Sequence, residues 1–433
     1  MKIIINEIKN IKFEKLDAYN IEKLLGQFSD YNLCFGTHPT FKIIVTLFYN
    51  LFIKKYHYNI YKERDSIPQV LFIYNHLNKR KDLLESFLKV AKCACPTRRM
   101  IIVLSNPLKD SFFNLSLIKD IKLVNKWYAQ LKGTQLSIRE KIETIAYLYK
   151  CHELEKNLDQ INNKELSLVV VNYDSFFLDN FSVQYFQKKG IKTATLQHGV
   201  MVTKRKGLEN NIDFCGTEFK NSIADYFLVW NIFTKKQAIM SGIKEKKIVV
   251  TGPIKCININ KIIEEKTERR VIGILLDGRF TEENNPNMIR IANQFCSQNN
   301  YKFILRYHPA YQGNEYNSII DHSFYLGNSS NDLYEFAKEV DYILISNSTA
   351  YIELLYMNSK VIHFKCNPTT DKYRDLNIPS FSNASELYEF IKNKKYYNDI
   401  IKENLLSVID VKSSYTKFFL KFIENGKQSK NGY

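Results

Sequence analysis

Short apolar runs recur along the chain, each closed by polar or turn-forming residues. In the first part they occupy residues 31–35, 69–74, 100–104, 166–171, 192–196, 226–230 and 247–251. Such runs are the right length for buried strands. Between several of them lie stretches long enough for helices, residues 81–90 and 138–159. Strands alternating with helices predict a largely parallel, doubly wound sheet. Gly252-Pro253 breaks the pattern, and the polar, charged stretch 254–270 reads as a connection, which places a domain boundary there. The pattern then resumes: a strand at 271–276, a helix at 287–297, strands at 302–306 and 324–326, and a helix capped by Ser330 or Asn331 that runs to Val340. Residues 341–366 follow as strand, polar turn, helix and strand, with the helix at 350–357. The expected fold is α/β, with two doubly wound Rossmann-like domains over residues 1–253 and 254–433.

In such sheets ligands collect at the carboxyl ends of the strands. In the first domain those ends are Gly36-Thr37-His38-Pro39, Asn75-His76, Ser105-Asn106-Pro107, Asn172-Tyr173-Asp174-Ser175 and Gln197-His198-Gly199. His198 is the best placed, directly after a buried run and before a glycine that permits a tight turn. His38 and His76 read equally well as turn residues or as groups facing an acceptor. In the second domain the ends are Asp277-Gly278-Arg279, Arg306-Tyr307-His308-Pro309 and Ser346-Asn347-Ser348-Thr349. If these strands are neighbours, an arginine, a histidine and a helix start meet at one place, which suits a phosphate. Glu353, about one helical turn further on, is placed to reach ribose hydroxyls; an ordinary capped turn is the alternative reading. Neither G-x-G-x-x-G nor G-x-x-x-x-G-K-[ST] occurs.

Composition narrows the class. The chain has 433 residues, enough for two cores, and a globular hydrophobic fraction of 45%. The net charge of +17 is lopsided, +15 over residues 1–250 and +2 over 251–433. The first part therefore suits an anionic partner, although basic solvated faces alone would give the same count. Its basic residues are dispersed and no nucleic-acid module is recognisable, which ranks nucleic acid low. Eight scattered cysteines without a C-x-x-C pair read as reduced thiols. Cys93-x-Cys95 and Cys151-His152 lack a matching second pair, so no metal site is expected. The start is too polar for a signal peptide, and the apolar stretch 41–53 is too short to span a bilayer.

Leu196-Gln197-His198-Gly199, Arg306-Tyr307-His308-Pro309, and Ser346-Asn347-Ser348-Thr349 followed by Glu353 together resemble the GT-B glycosyltransferases of bacterial surface-polymer synthesis. The His-Pro and Ser/Thr signatures are similar to those of bacterial sialyl- and polysialyltransferases, where they hold a cytidine nucleotide. The His-Gly is similar to that of teichoic-acid glycerophosphotransferases, where the histidine is a candidate base. Gln197 departs from both groups, which have an acidic residue or Trp there, so the donor class stays open. The resemblance implies a donor of CMP, CDP or UDP type in the second domain and a glycan or glycolipid acceptor in the basic first domain. It implies no cofactor beyond that nucleotide-activated sugar, and a cytoplasmic location, possible also at the inner membrane face. His198 is then the base, with Asp174 a second candidate, and Arg279, Arg306 and His308 face the departing phosphate. No Asp-x-Asp occurs, which argues against the divalent-cation site of the other large glycosyltransferase fold. The alternatives are a CDP-polyol phosphotransferase on the same scaffold, a sugar-nucleotide epimerase, and a non-catalytic basic membrane- or polyanion-binding protein.

Overall fold

The structure, a computed structural model, describes residues 11–16, 18–21, 24, 58–62, 67–75, 81–104, 116–175, 177–201, 222–257, 263, 268–278, 282–308, 311–367, 371–393 and 399–428. His38, His76, Arg279, Pro309, the strand expected at 31–35, the Ser105-Asn106-Pro107 turn and the apolar stretch 41–53 lie outside the described residues.

The first sheet comprises β1 (Tyr58–Lys62), β2 (Val70–Tyr74), β3 (Arg99–Leu104), β4 (Leu168–Val171), β5 (Lys192–Leu196), β6 (Tyr226–Val229) and β7 (Ile248–Val250). Its helices are α1 (Lys81–Ala91), α2 (Ser116–Leu131), α3 (Ile138–Asp159), α4 (Phe177–Lys188) and α5 (Ile232–Met240). The strand order is β1-β3-β2-β4-β5-β6-β7, parallel except for β1, which pairs antiparallel with β3 at the edge. Every residue of β2 and β4 is buried, as VLFIY and LVVV require of central strands covered on both faces. The antiparallel edge strand β1 has no counterpart in the sequence expectation. Its polar, half-exposed YNIYK carries too weak an apolar run to announce a strand.

The second sheet comprises β8 (Val271–Leu275), β9 (Lys302–Arg306), β10 (Tyr325–Asn328), β11 (Tyr342–Ile345), β12 (Val361–Phe364) and β13 (Ser380–Phe381), in the order β10-β9-β8-β11-β12-β13, all parallel. Its helices are α6 (Asn285–Asn299), α7 (Leu333–Glu339), α8 (Ala350–Tyr356), α9 (Ala384–Asn393) and α10 (Asp399–Asn404). One face is covered by α6 through Met288, Ile289, Ala292 and Phe295. The other is covered by α7 and α8 through Phe336, Ile352 and Leu355. α7 is capped by Asp332, whose carboxylate accepts from Glu335 N at 2.9 Å, and not by Ser330 or Asn331. Aspartate at this position meets the positive end of the helix with a full charge.

Two features join the halves. Val200 and Trp230, from the first sheet's loops, and Phe233 of α5 pack in one core with Leu275, Ile343, Tyr351 and Leu355 of the second. The last helix, α11 (Val411–Gln428), returns to the first sheet. It buries Val411, Tyr415, Phe418 and Phe419, one helical stripe, against Phe72, Leu196 and Leu228.

Candidate active site

Both sheets have a point where the strand order reverses. In the second it falls between β8 and β11, with β9 next to β8. The three polar strand ends singled out in the sequence therefore lie side by side. Asp277 ends β8 as a buried carboxyl whose Oδ2 accepts from Asn347 N at 3.2 Å, tying the two turns together. Burial pushes the Asp277 carboxyl above the ordinary range, against the pull of the Asn347 N–H. Asn285 returns the turn to α6: its Oδ1 accepts from Asp277 N at 2.8 Å and its Nδ2 donates to Asp277 O at 3.1 Å. His308 lies over Gly278, where a Cβ would sit 3.3 Å from three ring atoms. Arg306 is half-buried; Nε donates to Asn331 O at 3.3 Å, and Glu353 and Asp332 offset the desolvation of the guanidinium.

The Ser346–Thr349 turn divides its labour. Ser346 is fully buried, with Oγ 2.7 Å from Cys366 Sγ. Asn347 Oδ1 accepts from Lys372 N at 2.9 Å, while its buried Nδ2 has no hydrogen-bond partner among the described residues. Ser348 Oγ accepts from Ala350 N at 3.3 Å, and Ser348 O accepts from Tyr373 Oη at 2.9 Å. α8 is only seven residues long, and its first N–H groups are partly used within the turn, Tyr351 N on Ser348 O and Ile352 N on Thr349 O. Its dipole is correspondingly short, so charge at this turn comes mainly from the cations beside it. Glu353 faces the connection between the domains, with Oε1 3.2 Å from Lys255 Nζ.

Across from this turn stands the end of β5. A Cβ on Gly199 would lie 3.8 Å from Thr349 Cγ2, so the Gln197-His198-Gly199 turn and the Ser346–Thr349 turn face each other closely. Gln197 builds its turn from within: Oε1 accepts from Trp230 N at 2.6 Å, and Nε2 donates to Gly199 O at 2.7 Å and Thr234 Oγ1 at 3.2 Å. His198 is half-buried with its ring 4.0 Å from that of buried Tyr173. Asp174 lies beneath the surface, and its Oδ2 accepts from Ser222 Oγ at 3.0 Å, Ile223 N at 2.7 Å and Ala224 N at 2.8 Å. That carboxylate anchors the entry to β6. Burial raises its pKa and these donors pull it back.

Several participants escape the sequence reading. Asn285, Lys255, Lys372 and Tyr373 act through contacts distant in sequence, which no local motif signals, and Gln197, visible as part of a strand end, gives no local sign of its bond to Trp230. Asp277 was visible as a strand end, but its bond to Asn347 depends on β8 and β11 being neighbours.

Two Rossmann-like sheets that face each other through the turns at the carboxyl ends of their strands constitute the GT-B fold. Among solved structures, the UDP-bound MnaA of S. aureus matches with a TM-score of 0.54 at 12% identity, covering 83% of this chain and 97% of that one. The UDP-GlcNAc 2-epimerase of Neisseria meningitidis, solved with UDP-GlcNAc, gives 0.49 at 10% identity over 82% and 99%. The lipopolysaccharide outer core galactosyltransferase WaaB gives 0.47 at 12% identity over 83% and 99%. No protein-family model and no curated protein sequence matches the chain. No described helix is long and apolar enough to cross a membrane.

Proposed function

We propose that this protein is a glycosyltransferase that moves a sugar from a nucleotide-activated donor to a hydroxyl of a surface-glycan acceptor of capsular, lipopolysaccharide or teichoic type. The observation that carries this reading is the convergence of Asp277-Gly278, Arg306-Tyr307-His308 and Ser346–Thr349 at one switch point, facing His198-Gly199 across a gap. Residues 254–433 supply the donor side, and Arg306 and His308 carry the charge that a departing nucleotide phosphate requires. Asn347 Nδ2, buried without a partner among the described residues, supplies a further donor. The basic stretch 1–250 supplies the acceptor side and favours an anionic acceptor or membrane surface.

In the reaction the acceptor oxygen attacks the anomeric carbon, its proton passes to His198, and the bond from that carbon to the phosphate oxygen breaks. His198 takes the base role rather than Asp174, whose Oδ2 is already shared among three donors. The nucleotide leaves with its charge held by Arg306 and His308.

Thermal unfolding with CMP, CDP, UDP and GDP in turn tests the donor site. A ligand at a hundredfold its Kd adds about 2.7 kcal/mol, and Arg306→Ala should abolish the shift. Incubation with the matching sugar nucleotides and glycan acceptors then tests transfer. A phosphodiester in the product would turn the assignment to a polyol-phosphate transferase, and conversion of donor alone to an epimerase. If no nucleotide shifts the midpoint while anionic vesicles or polyanions do, the protein is a binding module.

A further inference from the structure

Behind the Ser346–Thr349 turn lies a second group of chemically capable side chains that the proposed transfer does not use. His363 on β12, Cys366 just beyond it and Asp371 place an imidazole nitrogen, a thiol sulfur and a carboxylate oxygen within 4.8 Å of one another. All three are buried, with 2%, 9% and 6% of their surfaces exposed. His363 Nε2 stands 3.4 Å from Asp371 Oδ1, within ion-pair distance. It nevertheless has no hydrogen-bond partner among the described residues. A buried imidazole nitrogen with no partner beside a carboxylate and a thiol is costly unless something occupies the space between them.

We propose that His363, Cys366 and Asp371 bind a divalent transition-metal ion of the zinc class, with water as the fourth ligand, at a centre that fastens the loop after β12 to its own strand and so steadies the contacts this loop makes with the turn after β11. Ligand atoms around a tetrahedral zinc lie roughly 3.3–3.6 Å apart, given bond lengths of about 2.0–2.3 Å. The 3.4 Å between Nε2 and Oδ1 already matches one edge of that tetrahedron. Charge agrees as well: a dication with one thiolate, one carboxylate and one neutral imidazole is neutral overall, the condition under which such a group is stable in a core. Binding requires the Cys366 thiol to lose its proton to solvent. Ser346 Oγ, 2.7 Å from Sγ, is placed to donate to the resulting thiolate.

The centre would brace the candidate active site without touching its ligand. Asp371 Oδ1 also accepts from Tyr373 N at 2.8 Å, Lys372 N donates to Asn347 Oδ1, and Tyr373 Oη donates to Ser348 O. His363 lies in register with Ile345, the last residue before Ser346. The inference does not depend on the nature of the reaction, because metal content is read directly.

The test uses the full chain without a histidine tag. Metal analysis of the purified protein should find close to one zinc per chain. After chelation, titration with cobalt should give a one-to-one endpoint, intense visible bands of a tetrahedral site and a near-ultraviolet thiolate-to-cobalt band. In Cys366→Ser that band disappears, and in His363→Ala cobalt affinity falls at least tenfold. Substoichiometric metal together with a cobalt spectrum lacking the thiolate band in the wild-type chain overturns the proposal. His363 and Asp371 are then a plain buried side-chain contact. Because the decisive spectra are those of the wild-type chain, a variant that fails to fold does not spare the proposal.

Discussion

His308 rests on Gly278. A Cβ at Gly278 would approach Cε1, Nδ1 and Nε2 of that ring to 3.3 Å, tighter than ordinary van der Waals contact, so the absence of a side chain on the β8 end leaves room for the imidazole on the β9 end. The relationship ties two neighbouring strand ends to one geometry at the point where the sheet order reverses.

Gly278→Ala should therefore displace His308 and weaken nucleotide binding about tenfold, about 1.4 kcal/mol. His308→Ala should cost a similar amount, and the double variant should cost little more than either, since both remove the same contact. Calorimetric titration of the four proteins with the nucleotide that gives the largest thermal shift reads the cycle. Additive losses would mean that Gly278 and His308 act independently.

Gly273 supplies a stability prediction away from the site. A Cβ there would lie 2.6 Å from Phe336 Cζ and 3.0 Å from Val340 Cγ2, because α7 sits directly on β8. Gly273→Ala should cost about 1–3 kcal/mol as an overpacked core position. Urea unfolding should show a lower midpoint with an unchanged slope. An unchanged midpoint would mean that α7 can move away at no cost.

Much of this architecture was legible because parallel strands buried on both faces are written as uninterrupted apolar runs. Residues 192–196, 302–306 and 342–345 form strands with the expected bounds, and the helix at 138–159 runs the length its pattern implied. The strand ends that meet at the switch point could be named in advance because sheet direction puts polar turns there. Pairing across the sheet was another matter. Nothing near Gln197 in sequence announces Trp230, which sits at the end of the neighbouring strand. Glu353 is expected beside a ribose on helical spacing alone; its 3.2 Å contact with Lys255, a residue brought there by the interdomain connection, is not readable from that spacing. The C-terminal helix α11 was unread for a related reason, since its stripe of Val411, Tyr415, Phe418 and Phe419 makes sense only against a sheet formed far earlier in the chain.

Acid should loosen the first domain through His152. This residue is buried in the core around Trp127 and near Asp120, with Nε2 3.7 Å from Asp120 Oδ2. Burial, with Lys156 next, lowers its pKa to about 4, from 6.5 in an unfolded chain. A folded-state pKa below the unfolded value means that the unfolded chain takes up the proton first, so stability present above pH 6.5 is lost as pH falls toward 4. Urea unfolding at pH 7 and pH 5 should show a larger loss for the wild-type chain than for His152→Asn. Equal losses would remove His152 from the account of acid sensitivity.

Gln197 offers the sharpest separation of positioning from binding. Its amide is used at both ends, accepting from Trp230 N and donating to Gly199 O and Thr234 Oγ1, and the residue is fully buried. Gln197→Glu preserves the shape and the acceptor but replaces a donor to Gly199 O with a second acceptor. A buried group left unmatched in this way costs about 1–3 kcal/mol, and more when charged. The strain falls on the turn that carries His198, whereas the proposed nucleotide side of the cleft is held by Asp277, Asn285 and Asn347 through bonds that do not involve Gln197. The expected outcome is a lower melting temperature and a kcat reduced at least tenfold, with nucleotide Kd changed less than twofold. Gln197→Leu should behave alike, since it leaves Trp230 N and Gly199 O without partners. A variant that loses nucleotide affinity in step with kcat would place Gln197 in the support of both sides of the cleft, and His198 would lose its claim to a separately positioned base.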